Sequence, residues 1–126
     1  MPKLIMTIGL AASGKSTWAS NYKASSPDPK KVKIVNKDNI RLRLGKAWSR
    51  EVEKEVLKIR DNEICQGLSA GLTVISSDTN LFPMHEIRLR GLATKYKATF
   101  EVKSFLDVDV QECIRRDSLR DEMERV

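Results

Sequence analysis

Residues 9–16, GLAASGKS, fit the spacing G-x-x-x-x-G-K-[ST] and sit between an apolar, β-branched run and a helix-forming stretch. That context is what the motif needs in order to cradle phosphate. The backbone of Gly9, Leu10, Ala11, Ala12, Ser13 and Gly14 would curl so that successive N–H groups point into an anion-sized hollow. The helix that follows aims its positive end at the same place. Lys15 is then placed to reach the outer two phosphates of a nucleoside triphosphate. The Ser16 hydroxyl would complete a Mg²⁺ shell, and Thr17 could add a hydroxyl toward the innermost phosphate.

Two acids follow later apolar runs. In IVNKDNIRLRL, residues 34–44, Asp38 stands where the chain turns from apolar to basic, with Arg41 one helical turn on. Asp38 can cap the helix, or it can take a proton from a substrate hydroxyl, and the local sequence allows both. In LTVISSD, Asp78 ends the third apolar run, where such enzymes carry an acid that touches metal-bound water or holds an arginine. Its structural alternative is an Asx turn or a cap for the helix after Pro83. Arg116 and Arg120, four apart near the C-terminus, share a helix face and could clamp phosphate oxygens. Interleaved with Asp117, Asp121 and Glu122, they equally fit a solvated, salt-bridged face.

Other residues offer less. Trp18 and Trp48 could stack a base, although a helix tryptophan is more often core or interface. His85 reads as a surface residue at a helix start. Cys65 and Cys113 show neither metal spacing nor a disulfide framework, so they read as small apolar side chains of a reducing compartment.

The elements that must position these groups alternate. KLIMTIG is a buried strand, SGKSTWASNYKA a helix, SSPDPKK an exposed turn-rich link, and VKIVN a second strand. KDNIRLRLG is a short helix ending near Gly45. Ser49 caps a long helix whose apolar face runs through Val52, Val56, Ile59, Ile64 and Leu68, with Arg60 and the other charged residues on the remaining faces. Gly71 closes it, LTVIS is a third strand, MHEIRLRGLATKY a helix, and ATFEVKSFL a fourth, more alternating strand nearer an edge. The segment VDVQECIRRDSLRDEMERV begins as a further helix. This order predicts an α/β fold with a parallel sheet of four strands and helices on both faces. Ligands on such sheets bind at the carboxyl ends of strands, so the glycine loop, Asp38 and Asp78 should converge on one edge.

The chain's 126 residues suit one domain, 1–126, and its apolar runs are too short to span a membrane. With one histidine, a multi-histidine metal site is excluded. A net charge of +6 is concentrated at Lys30, Lys31, Lys33 and Lys37, at Arg41 and Arg43, and at Arg115, Arg116 and Arg120, which favours a polyanionic partner.

Taken together, TIGLAASGKSTW, NKDNIR, SDTNL followed by proline, and RRDSLR resemble, in order and spacing, the kinase domain of bacteriophage polynucleotide 5′-kinases. The resemblance covers essentially the whole chain. It implies a P-loop kinase fold that transfers the γ-phosphate of ATP, with Mg²⁺, to the 5′-hydroxyl of DNA or RNA in nucleic-acid repair. It implies Asp38 as general base, Arg41 as the grip on the acceptor's phosphate, and Asp78 with Thr79 on the substrate side. It further implies Arg120 as the lid arginine that stabilises the transition state, Arg116 as a second basic lid position, and a place in the cytoplasm, that of the host if phage-encoded. The family continues beyond the equivalent of the last residue here, so the lid and its helix are expected to be cut short. No D-x-D-G-T phosphatase motif occurs, so 3′-phosphatase chemistry is not expected. Two other readings stay open: a P-loop kinase of a small metabolite or nucleotide sugar, and a non-catalytic nucleic-acid-binding module.

Overall fold

The computed structural model describes residues 2–10 and 13–106. Its elements alternate as the sequence predicts. Strand β1 (Lys3–Ile8) leads into helix α1 (Lys15–Ser25), and a short 3-10 turn (Pro29–Lys31) leads into β2 (Val32–Val35). Then come α2 (Lys37–Leu44), α3 (Arg50–Ser69), β3 (Thr73–Ser76), α4 (Pro83–Lys95) and β4 (Thr99–Ser104). The four strands form one sheet in the order β2-β3-β1-β4, with every pairing parallel. The expected C-terminal helix lies outside the described residues.

Alternation along β1 and β3 divides the apolar side chains between two layers. Leu4, Met6 and Val74 meet Val56, Ile64 and Leu68 of α3 and Leu89 and Leu92 of α4. Ile5 and Ile75 turn the other way, onto Ala19, Trp18 and Tyr22 of α1. Helices therefore cover both faces, and β1 and β3, central in the sheet, are apolar on both. Strand β4 is an edge, alternately exposed and half-buried, as its pattern predicts.

Two caps fix where the helices of interest begin. Ser49 accepts the Val52 N–H at 3.1 Å and starts α3, as expected from the sequence. Helix α2 is capped by Asn36, whose side-chain oxygen accepts the Asn39 N–H at 3.1 Å. The cap reading of Asp38 is thereby corrected: Asp38 is the second residue of the helix, and its carboxylate is left to face outward.

Candidate phosphate-transfer site

The phosphate loop leaves β1 at Gly9, where the chain is closely hemmed in. A Cβ on Gly9 would lie 2.8 Å from both Phe105 Cβ and Ser13 Oγ, so only glycine lets the loop pass under the end of β4. At the other end Gly14 adopts φ +102°, left-handed backbone that turns the loop into α1. No side chain caps α1, which leaves the amides at its start directed into the loop. Lys15 is 8% exposed, and its ammonium donates to the Leu10 carbonyl at 2.6 Å and lies 3.5 Å from Ser13 Oγ. It is thus held inside the curl of the loop. Ser16 and Thr17 are exposed on the first turn. Ala11 and Ala12 lie outside the described residues, as do Arg115, Arg116, Arg120 and Cys113.

Three strand ends are stitched together by the segment after β3. The Gly9 N–H donates to the Thr79 carbonyl at 3.1 Å, and the Thr7 hydroxyl lies 2.8 Å from the Asp78 carbonyl. On the other side, the Ser77 N–H donates to the Val35 carbonyl at 2.9 Å, and the Asn36 side-chain amide donates to the Ser77 carbonyl at 2.5 Å. Asn80, in left-handed backbone at φ 46°, donates to the Thr7 carbonyl at 3.0 Å. The expected convergence of the glycine loop, Asp38 and Asp78 on the carboxyl edge of the sheet is therefore present.

Asp78 is 6% exposed, and its Oδ1 accepts the Lys37 N–H at 2.9 Å. It thus satisfies the first amide of α2 beside the Asn36 cap, and the sequence alternative of a cap for α4 is corrected. Among the described residues its Oδ2 has no hydrogen-bond partner, nor do Ser77 Oγ and Asn80 Oδ1. Burial pushes the Asp78 carboxyl above its ordinary range, opposed by the Lys37 N–H and by the charges of Lys37 and Arg60, while Asp38 pushes it further up. Asp38 is accordingly close enough to feel the same centre, yet its side chain is 82% exposed. Burial also holds Lys37 below the usual ammonium range.

Arg41 lies between two acids. It grips Glu53 with two parallel bonds, Nε to Oε1 at 2.7 Å and Nη2 to Oε2 at 2.9 Å, and turns Nη1 to Asp38 Oδ1 at 2.6 Å. The Glu53 bonds hold the guanidinium firmly charged and keep Glu53 below its ordinary range. The general-base candidate and the arginine beside it are thus already one unit.

Sequence reasoning missed three members of this centre. Arg60 was placed on a polar face of α3, but it is 2% exposed, bonded to Asp61 Oδ1 at 3.1 and 3.0 Å. The signal was available: position 60 lies four after Val56 and four before Ile64, on the buried stripe. His85 is half-buried at the start of α4, its Nδ1 3.5 Å from Arg60 Nη1, not a free surface residue. Burial and the neighbouring Lys37 and Arg60 charges keep it below the usual histidine range. Asn36, which no pattern singled out, does the capping. The basic run at residues 30–37 is no single patch either, since Lys33 donates to the Glu63 carbonyl at 2.8 Å and Lys37 is half-buried.

A glycine loop feeding a helix from the first strand of a parallel sheet, with an acid at the end of the adjacent strand, defines a P-loop kinase fold. A model of the AAA domain family matches residues 4–126, and the chain belongs to that family. Among solved structures, a chain of the Pnkp1/Rnl/Hen1 RNA repair complex superposes with a TM-score of 0.84 at 28% identity, covering 97% of this chain and 38% of that one. A second structure of the Pnkp1/Rnl/Hen1 complex gives 0.81 at 27%, covering 91% and 38%. This chain thus spans well under half the length of those relatives. The Mycobacterium tuberculosis APS kinase CysC, in complex with AMPPNP and APS, matches with a TM-score of 0.68 at 22% identity, over 96% and 72% of the two chains. That last likeness is one of fold. Among the described residues no helix is long and apolar enough to cross a membrane.

Proposed function

We propose that the chain is a polynucleotide 5′-hydroxyl kinase that moves the γ-phosphate of ATP onto the 5′-OH of DNA or RNA. One observation carries this reading: the helix bearing Asp38 and Arg41 is tied through Asp78 to the segment that also holds the phosphate loop. In this reading a hydroxyl presented at Asp38 faces a phosphate held at Lys15. The likeness to a chain of the RNA repair complex favours a nucleic-acid acceptor, since it is the likeness with the higher identity.

In this reading the amides at the start of α1 and the Lys15 ammonium hold the transferring phosphate and spread its charge. Asp38 orients the acceptor hydroxyl and takes its proton as the new P–O bond forms, and ADP leaves with the electron pair of the broken bond. Arg41 sits beside Asp38 with Nη1 turned toward it, which suits a phosphate just downstream of the reacting end. Arg116 and Arg120 are proposed to add lid charge, and Thr79 to line the acceptor side. The exposed Ser16 hydroxyl and Asp78 Oδ2, unpartnered among the described residues, are hard oxygen donors that fit Mg²⁺. When bound, Mg²⁺ would neutralise charge on the phosphate oxygens. The place of action is proposed to be the cytoplasm.

The test is transfer of labelled γ-phosphate from ATP to matched 5′-OH DNA and RNA oligonucleotides, with mononucleotides, nucleotide sugars and adenylyl sulfate as competing acceptors. The expected result is labelling of oligonucleotides, abolished in Asp38→Asn while ATP binding persists. Near-normal labelling by Asp38→Asn would remove the base assignment. Preference for a small acceptor would replace the polynucleotide by a metabolite.

A further inference from the structure

Trp48 stands 74% exposed immediately before Ser49, the cap of α3. An apolar residue in that place ordinarily folds onto the side chain five positions on, stapling the helix start. Here that position is Glu53, and both its carboxylate oxygens are taken by Arg41. The indole therefore has no staple partner at the helix start, and among the described residues local architecture gives no reason for a tryptophan there.

Its surroundings in the chain do. Residues 41–50, RLRLGKAWSR, carry Arg41, Arg43, Lys46 and Arg50 and no acid. The acids that α3 brings nearby are partly answered already, Glu53 by Arg41, Glu55 by Lys46 at 3.3 Å and Glu63 by Arg43 at 2.6 Å, while Glu51 stays exposed on the first turn and Arg50 carries no ion pair among the described residues. Arg43, Lys46, Trp48 and Arg50 are all exposed. The run is also continuous with α2, so it extends from Asp38 and Arg41 outward. An exposed aromatic ring within a run of cations matches single-stranded nucleic acid, whose bases stack while its phosphates meet the charges.

We propose that Trp48 is a stacking platform for a base of the acceptor strand, downstream of its reacting 5′ end, with Lys46 and Arg50 facing the adjoining phosphates. The inference rests on the acceptor being a polynucleotide and names where its bases are read.

With two tryptophans in the chain, Trp18→Phe leaves Trp48 as the only indole emitter. That variant is titrated with a 5′-OH oligonucleotide, an abasic oligonucleotide of equal length, and tripolyphosphate. Quenching by the first alone is expected. In kinetics, Trp48→Ala should raise KM for the oligonucleotide roughly 5- to 150-fold, the range given by stacking one base. KM for ATP and for a nucleoside 3′-monophosphate acceptor should not move, and Trp48→Phe should recover most of the loss. Emission unmoved by an oligonucleotide that the protein phosphorylates would overturn the platform, as would equal quenching by the abasic strand. An emission shift that grows with protein concentration alone would overturn it in favour of a protein–protein surface. Base-dependent quenching without phosphoryl transfer to any acceptor would uphold the platform and remove the kinase reading instead.

Discussion

Asp78 Oδ1 accepts the backbone N–H of Lys37 at 2.9 Å, so the acid at the end of β3 satisfies the first amide of the helix that carries Asp38. One carboxylate thus helps to position the helix that carries the proposed general base, while its own second oxygen stays unpartnered among the described residues. A structural role and a proposed charge role meet in a single side chain, and substitution can separate them.

Asp78→Asn keeps an oxygen that can accept the Lys37 N–H but removes the charge. It should retain most of the wild-type stability and lose phosphoryl transfer by roughly 100-fold or more, the scale of one electrostatic contact to the reacting group. Asp78→Ala should additionally cost about 1–2 kcal/mol by stranding the amide. The pH dependence gives a third reading. Because burial raises the folded carboxyl above its ordinary 3.8, Asp78's contribution to stability is complete below that value and is lost as pH rises through the folded one. Denaturation from pH 3 upward should therefore show Asp78→Asn gaining on wild type as pH increases. A constant gap would place the carboxyl in an unshifted environment.

The parallel sheet was legible because its strands are short apolar runs bounded by glycine and polar turns, and because helices of recognisable period separate them. The phosphate loop was legible for the same reason: its glycines do backbone work that other residue types cannot. What stayed hidden are the contacts that join distant segments. The sequence pointed to Asp38 as the cap, and only the bond from Asn39 N–H to Asn36 shows that the cap lies two residues earlier. The Asp78–Lys37 bond spans 41 residues and leaves no periodic trace. Arg60 was misread because a charged residue was assigned by its polarity, although its spacing from Val56 and Ile64 put it on the buried row.

Gly9 tests how tightly the loop is held. Gly9→Ala brings a methyl to 2.8 Å from Phe105 Cβ and from Ser13 Oγ. Ser13 can turn its hydroxyl, but Phe105 is fixed by its N–H bond to the Ile8 carbonyl at 2.7 Å. Overpacking of this kind costs about 1–3 kcal/mol. Urea denaturation should show that loss, and it should shrink in a Phe105→Gly background, which removes the Cβ that the methyl meets. Full stability in Gly9→Ala alone would show the loop to be free to move away from β4.

Arg60 is a buried cation whose partners are Asp61 and the His85 ring. Arg60→Ala leaves a cavity and an acid held, among the described residues, by Arg88 at 3.0 Å, and should cost about 3 kcal/mol. Arg60→Met fills the space without charge and should cost less. Because the Arg60 charge helps hold the Asp78 carboxyl down, Arg60→Met should also move the acid limb of the activity profile upward in pH. An unmoved limb would uncouple Arg60 from Asp78.

Glu53 completes the unit around Asp38, and its removal separates stability from acceptor binding. The bonds from Arg41 hold the Glu53 carboxyl below its ordinary 4.5. A depressed carboxyl contributes stability that is present above the unfolded value and lost as pH falls through the folded one. Glu53→Gln should therefore be less stable than wild type near neutral pH, by about 1 kcal/mol for a half-exposed pair, and the gap should close below pH 4.5. The same two bonds fix the plane of the guanidinium and so direct Nη1 toward Asp38. Without them Arg41 must be ordered by the acceptor itself, and KM for a 5′-OH oligonucleotide should rise about fivefold, the cost of immobilising one long side chain. KM for ATP should stay where it is, because the phosphate loop is built from other segments. A fall in oligonucleotide KM would instead make Glu53 a competitor that acceptor phosphate must displace from Arg41.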